Sequence, residues 1–156
     1  MAIKRLLREL QNINNEPNYF YSCNPREDNI LLWDFCIIGP PDSLYEYGTF
    51  YGRIEFTNTY PNKPPIVIFN NIFHPNIYID GKVCISILHE GTDLSGYEKD
   101  YERWNPSHSI NSIMLSIMSM LSAPNFDSPA NIDAKKLWQD NIMEYKKLIY
   151  NMIKKN

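Results

Sequence analysis

Phe73-His74-Pro75-Asn76-Ile77-Tyr78-Ile79-Asp80-Gly81-Lys82-Val83-Cys84-Ile85-Ser86-Ile87-Leu88 is the stretch on which the reading of this chain turns. It places one cysteine, Cys84, eight positions after an asparagine, Asn76. An ionised thiol is a better nucleophile than a hydroxyl, but at its reference pKa of about 8.5 only a few per cent is thiolate at neutral pH. Either a neighbour activates Cys84 or its reaction partner arrives activated. No Cys-X-X-Cys occurs, which excludes a thioredoxin-like redox pair. The Asn76 amide offers an N–H donor to an oxyanion near the sulfur. Its alternative is a hydrogen bond to nearby backbone. His74 also has two readings, a base for Cys84 or one part of a rigid His-Pro-Asn turn that aims Asn76. The ring constraint of Pro75 favours the second.

Around this stretch the composition is that of one globular unit, 1–156, with a single core: 156 residues, 44% of them hydrophobic. A net charge of −3 and the lack of a basic run argue against a nucleic-acid partner. Cysteines 23, 36 and 84 form no disulfide framework, so a reducing compartment is expected. Together with three histidines they show no ligand spacing, and neither a metal nor another cofactor is expected. No apolar run approaches the ~18–20 residues of a membrane span. Charges interrupt Met1-Ala2-Ile3-Lys4-Arg5 at once, unlike a signal peptide. Cytoplasmic or nuclear residence without direct membrane insertion is the expectation.

Residues 2–14 carry Ile3, Leu6, Leu7, Leu10 and Ile13 at helical spacing, with Lys4, Arg5 and Arg8 on other faces. Four strand candidates follow: 19–23, 30–38, 48–56 and 66–69. In the third, Phe50, Ile54 and Phe56 alternate with Tyr51, Arg53 and Glu55. The links at 24–28, 39–43 and 60–65 are rich in turn residues, and short links predict an antiparallel meander. Cys36 and Cys23 read as structural. Tyr60–Pro61 follows an aromatic and is a candidate cis bond. Ile110, Ile113, Met114, Ile117, Met118 and Leu121 predict a central buried helix, capped by Ser107 or Ser109 and stopped before Pro124. Two further helices are predicted over 131–139 and 140–154, where Trp138, Ile142, Tyr145, Ile149 and Met152 form one stripe. The expected class is α+β.

His74-Pro75-Asn76, Gly81 and Cys84-Ile85-Ser86-Ile87-Leu88 resemble the active-site signature of ubiquitin-conjugating enzymes. The resemblance extends upstream through Pro41-Asp42-Ser43, Gly48-Thr49-Phe50 and Tyr60-Pro61-Asn62-Lys63-Pro64-Pro65. Downstream it takes in Trp104-Asn105-Pro106, Leu115-Ser116-Ile117 and Pro124-Asn125-Phe126-Asp127. It implies that family's fold: an N-terminal helix, a four-stranded antiparallel meander, a central helix and two C-terminal helices. It implies that Cys84 accepts ubiquitin as a thioester from the activating enzyme and that a lysine of a protein substrate then takes it. Asn76 would stabilise the oxyanion or hold the loop that does so, and His74 and Pro75 would be structural. Lys4, Arg5 and Arg8 would meet the activating enzyme and ligases. Asn62, Lys63, Pro106 and Ser107 would lie on the two loops that ligases grip, with polar Asn62 standing where many members carry a large apolar residue.

Two departures from the commonest family pattern are linked. Residues 89–103 make the segment after Cys84 longer than in short-loop members, and long loops in compact domains are usually functional or disordered. Many relatives place an acid just before the proline corresponding to Pro129, where this chain has Ser128. Asp93, and next Glu90, are the loop carboxylates that would supply it and orient the incoming lysine; a merely solvated acidic loop is the alternative. His89 and Asp93 match the loop pattern of the branch that resembles endoplasmic-reticulum-associated degradation enzymes. That implies polyubiquitin synthesis with a RING-type ligase and recruitment to the cytosolic face of that organelle through a partner. The rival readings are a conjugating enzyme for another ubiquitin-like modifier and a non-catalytic ubiquitin-binding variant. A cysteine hydrolase ranks last, since no base–orienter pair is evident in the sequence.

Overall fold

The computed structural model describes residues 1–155. Helix α1 (Ala2–Asn15) precedes β1 (Tyr21–Arg26), β2 (Asn29–Ile38), β3 (Thr49–Glu55) and β4 (Ile66–Phe69). Helices α2 (Ile110–Ser122), α3 (Ile132–Asp140) and α4 (Ile142–Lys155) complete the chain. Between β4 and α2 runs a long irregular segment with two short 3-10 turns, Ser86–Leu88 and Asp100–Glu102. The strands pair antiparallel in the order β1-β2-β3-β4, the meander expected from their short links. Among the described residues no helix is long and apolar enough to cross a membrane.

Alternation sets the sheet's inner face. Trp33, Phe35 and Ile37 of β2 stand opposite Ile54, Gly52 and Phe50 of β3, and all the apolar ones are buried. They share one core with Ile110, Ile113, Met114, Ile117 and Leu121 of α2. Burying each such side chain contributes roughly 1.5–3 kcal/mol. Ser109, one of the two predicted caps, starts α2: its hydroxyl accepts from the Ser112 N–H at 3.2 Å, while the Ser112 hydroxyl accepts from the Ser109 N–H at 2.9 Å.

Three local expectations are corrected. Asn24, Pro25 and Arg26 belong to β1 and leave only Glu27 and Asp28 as the turn; an edge strand tolerates Pro25 because no ladder partner needs its missing N–H. The C-terminal stripe is interrupted at Asn141, which caps α3 and leaves Ile142 exposed. In α1 the apolar stripe is split. Leu6 is buried, but Ile3 and Leu7 are 54% and 52% exposed, while Glu9 is only 4% exposed. The Glu9 carboxylate accepts from Arg5 Nε at 3.0 Å, from the Tyr60 hydroxyl, and from the Ile110 N–H at 2.6 Å. It caps α2 from a distance, where a carboxylate complements the helix N-terminus.

Candidate active site

The His-Pro-Asn turn is fastened from beneath. Two buried tyrosines, Tyr45 and Tyr145, donate to the Phe73 carbonyl, and the Pro75 carbonyl accepts from Ala130 N–H (2.8 Å) and Asn131 N–H (3.0 Å). His74 is buried completely. Its Nε2–H donates to the Met120 carbonyl and its Nδ1 accepts from the Asn76 N–H, both at 2.9 Å. With both nitrogens engaged, the ring has no lone pair for Cys84. Burial pushes its pKa down to about 4, against the opposing effect of the Met120 carbonyl, so the ring is neutral at pH 7.

From this turn the chain makes a tight hairpin back to Cys84. Ile77 pairs with Val83, the Cys84 N–H donates to the Asn76 carbonyl at 2.9 Å, and Lys82 bridges to Ile68 of β4. Gly81 makes the bend with φ +95°, and a Cβ there would lie 2.1 Å from the Phe69 carbonyl oxygen. Anchored thus to the sheet edge, the Cys84 side chain sits half-buried, whereas Cys23 is in the core, its thiol pushed up to about 12 by burial. Cys36 lies in β2.

Cys84 opens on a cleft of about 630 Å³ shared with Asn76, Asp93, Tyr97, Asn125 and Asp127. Asn76 is 2% exposed and joins the two walls. Its Nδ2 donates to the Asn125 carbonyl and its Oδ1 accepts from the Asn125 N–H, both at 2.8 Å. One amide hydrogen remains beyond these two bonds.

The long segment 89–103 forms the outer wall. Asp93 lines the cleft, yet its oxygens serve its own loop. Oδ1 accepts from the Ser95 hydroxyl (2.6 Å) and N–H (3.0 Å), and Oδ2 accepts from the Glu98 N–H (2.8 Å). The Ser95 hydroxyl foremost, then these amides, hold its pKa down at about 2, so it is a carboxylate at neutral pH. Glu90 is exposed and lines not this cleft but the hollow on the β4 side of His89, and its carbonyl accepts from Arg103. Across the cleft the Tyr97 hydroxyl donates to Asp127 Oδ2 at 2.7 Å.

A base–orienter pair, not evident in the sequence, is present here. His89 Nε2 lies 3.6 Å from Cys84 Sγ, and its Nδ1 lies 2.9 Å from Glu98 Oε1. Arg103 Nη1 donates to that same carboxylate oxygen. Burial works against ionisation of Glu98, but the Ser86 hydroxyl, His89 and Arg103 outweigh it and lower its pKa. The signal available in the sequence was one histidine, three glutamates and one arginine within a long loop, with no period to pair them.

The expected docking residues fall in one neighbourhood. Trp104 Nε1–H donates to the Pro61 carbonyl at 2.9 Å, joining the 60–65 loop, whose Tyr60–Pro61 bond is cis, to the 104–108 loop. Arg5 donates to the carbonyls of Pro106 (2.9 Å) and His108 (2.7 Å) and so ties α1 to the same place. Asn62, Lys63, Pro106 and Ser107 are exposed, as are Lys4 and Arg8 with Ile3 and Leu7 between them. Arg5 differs: its side chain is 14% exposed and each of its three nitrogens donates internally.

A half-buried thiol at the mouth of a polar cleft, on an α+β fold, suits a cysteine acyl carrier. A family model described as ubiquitin-conjugating enzyme matches residues 5–153. Ubiquitin-conjugating enzyme E2 13 of Arabidopsis thaliana is 54% identical over 132 residues, covering 83% of this chain and 80% of its own. Probable ubiquitin-conjugating enzyme E2 7 of Caenorhabditis elegans is 44% identical over 97% of this chain and 94% of its own. Ubiquitin-conjugating enzyme E2 G2 of Homo sapiens is 42% identical over 99% and 96%. The chain belongs to the ubiquitin-conjugating enzyme family. Its activity is that of a transferase: it takes ubiquitin as a cysteine thioester and passes it to a lysine amine.

Proposed function

We propose that Cys84 is the thiol that carries ubiquitin and that residues 89–103 adapt the site for chain building with a RING-type ligase. The observation that carries the assignment is the placement of Cys84. Of the three cysteines it is the one that a hairpin presents to the polar cleft. Ubiquitin arrives as a thioester on the activating enzyme, which itself depends on ATP, so the acyl group is already activated when Cys84 attacks. In the second step a lysine nitrogen attacks the Cys84 thioester. Asn76 fixes the Asn125 segment beside the sulfur and keeps one amide hydrogen for the oxyanion. His74 and Pro75 hold the turn. Asp93 orders the loop and adds negative charge to the cleft that a lysine enters.

The exposed basic and apolar surface of α1, Lys4 and Arg8 with Ile3 and Leu7, supports docking of the activating enzyme. Asn62, Lys63, Pro106 and Ser107 support docking of the ligase on the adjoining loops. The His89–Asp93 loop pattern supports a role in endoplasmic-reticulum-associated degradation. The chain would then work in the cytoplasm and reach the membrane through a partner, and the nucleus stays open to it. The carrier assignment is tested by mixing the chain with activating enzyme, ATP and ubiquitin. The expected product is one ubiquitin heavier and is released by reductant, and Cys84→Ser converts it to a reductant-resistant ester. A reductant-sensitive adduct that survives Cys84→Ser would move the carrier to another cysteine. Loading with a different ubiquitin-like modifier in place of ubiquitin would replace the substrate, and no loading with any would favour a binding module.

A further inference from the structure

The side chains connected to Cys84, those of His89, Glu98 and Arg103, have no part in the chemical roles described so far. An ionised carboxylate only accepts hydrogen bonds, so the His89 nitrogen facing Glu98, Nδ1, carries the ring proton. In the neutral ring Nε2 then keeps its lone pair, and it is Nε2 that lies 3.6 Å from the Cys84 sulfur. Glu98 is itself fixed from both ends. Its N–H donates to Asp93 at 2.8 Å, and its carboxylate takes the Arg103 guanidinium. Arg103 in turn donates to the Gly91 carbonyl at 2.8 Å and the Glu90 carbonyl at 2.6 Å, so the pair spans the loop. The Glu98 and Arg103 side chains are 17% and 13% exposed, far less than in a solvated charged loop, and solvent screens such a pair less.

We infer that Glu98 is a positioning residue for transfer from Cys84, holding His89 in the tautomer whose free Nε2 accepts the proton of the attacking amine. The inference rests on Cys84 being the carrier. The lysine nitrogen attacks the thioester carbonyl carbon and the C–N bond forms. The nitrogen's proton passes to His89 Nε2, the C–S bond breaks, and its electron pair leaves on sulfur. The imidazolium, stabilised by Glu98, returns the proton to the Cys84 thiolate, and no further reactant is consumed. The attacking lysine is the neutral amine: with a reference pKa of about 10.4 it first gives its ammonium proton to solvent, and the adduct nitrogen then turns strongly acidic as the C–N bond forms, which is when a base beside the sulfur takes the second proton.

Other ionisable groups face this ring from two sides. Tyr78, Lys82 and Glu90 line the hollow between His89 and the β4 edge. Asp93, Tyr97 and Asp127 line the cleft on the other side. Glu98 is the one bonded to the imidazole.

The test is single-turnover discharge of the purified ubiquitin thioester, with free lysine and with hydroxylamine, across the range where imidazoles titrate and above it. Rates are referred to the amount loaded, so a loading failure in the unaltered chain speaks against Cys84 as carrier and is distinct from a discharge defect. Hydroxylamine nitrogen is unprotonated at neutral pH and asks least of a base. Glu98→Gln is expected to lower the ratio of lysine to hydroxylamine discharge about tenfold or more and to flatten the rise of the lysine rate with pH. His89→Gln should reproduce that change, and the double variant should add nothing to it, as for residues acting as one unit. Equal slowing with both nucleophiles would make Glu98 a loop fastening only. A double variant whose loss is the product of the two single losses would also overturn the inference.

Discussion

Asn76→Ala separates chemistry from architecture. The substitution removes two 2.8 Å hydrogen bonds to the Asn125 backbone. A typical intramolecular hydrogen bond contributes about 0.5–1.5 kcal/mol net, which gives ~1–3 kcal/mol for the two. Asn125 is exposed, so water can take up its freed N–H and carbonyl and the cost falls toward the low end. For a chain of this size each kcal/mol shifts the melting temperature by roughly 2–4 °C. A drop of a few degrees is therefore expected, with the chain still folded at assay temperature. Removing an oxyanion donor costs more, about 2.7–4 kcal/mol or 10²–10³ in rate. Loading exchanges one thioester for another and asks least of the chain's own donors, so it should survive. The assay is a thermal melt beside single-turnover loading and then discharge to lysine. The expected result is a small melting shift, near-normal loading and discharge slowed about a hundredfold. Discharge that keeps its rate while the melting temperature falls would refute the donor role and leave Asn76 as a tie between two segments.

Asp93→Ala should slow lysine discharge more than Asp127→Ala, because the Asp93 carboxylate bonds the Glu98 amide whereas the Asp127 carboxylate bonds the exposed Tyr97 hydroxyl. Rates in the reverse order would return the acid's task to the 124–129 segment. His74 links the turn to acid stability. Its folded pKa of about 4 lies below the ordinary imidazole value, so only the unfolded chain takes up a proton as pH falls from about 6.5. Stability is full above that window and is lost across it, by about 3 kcal/mol at pH 4. Urea denaturation at pH 7 and near pH 4.5 should show a smaller loss for His74→Gln than for the unaltered chain, and an identical loss would remove His74 as the source.

Much of the fold is legible because each signal is local. Alternation of Phe50 and Ile54 with Tyr51 and Arg53 marks β3, and Ser109 before an apolar period of helical length marks α2. The turn at the site is legible for the same reason, since Pro75 and Gly81 constrain their own backbone. What sequence leaves open depends on partners distant along the chain. The stripe of α1 reveals a helix but not which side is covered. Glu9 is buried because Tyr60 and the Ile110 amide need an acceptor there, and Ile3 and Leu7 are left outside. Pro25 reads as a turn until the sheet order makes β1 an edge. His89 and Glu98 are nine residues apart in a segment without periodicity, and only the loop's closure through Arg103 brings them together.

The hairpin side and the loop side of the cleft are held differently. The Cys84 wall is held by buried groups: His74 on the Met120 carbonyl, Asn76 on the Asn125 backbone, and the Pro75 carbonyl on the start of α3. Moving the sulfur would break several bonds at once, many of them shielded from water. Among the described residues the loop wall is hydrogen-bonded to the 124–129 segment once, from Tyr97 to Asp127, with both residues exposed. Water can replace either partner, so opening costs no more than the ~1.5–3 kcal/mol of a hydrogen bond to a charged group and less where solvent competes. Glu98 is the residue next to Tyr97, but it is held by bonds of its own, its N–H to Asp93 and its carboxylate to His89 and Arg103. The insertion thus supplies both the exposed Tyr97–Asp127 contact and the linked His89, Glu98 and Arg103 side chains, and a short connection between Cys84 and Trp104 would have no chain with which to supply both.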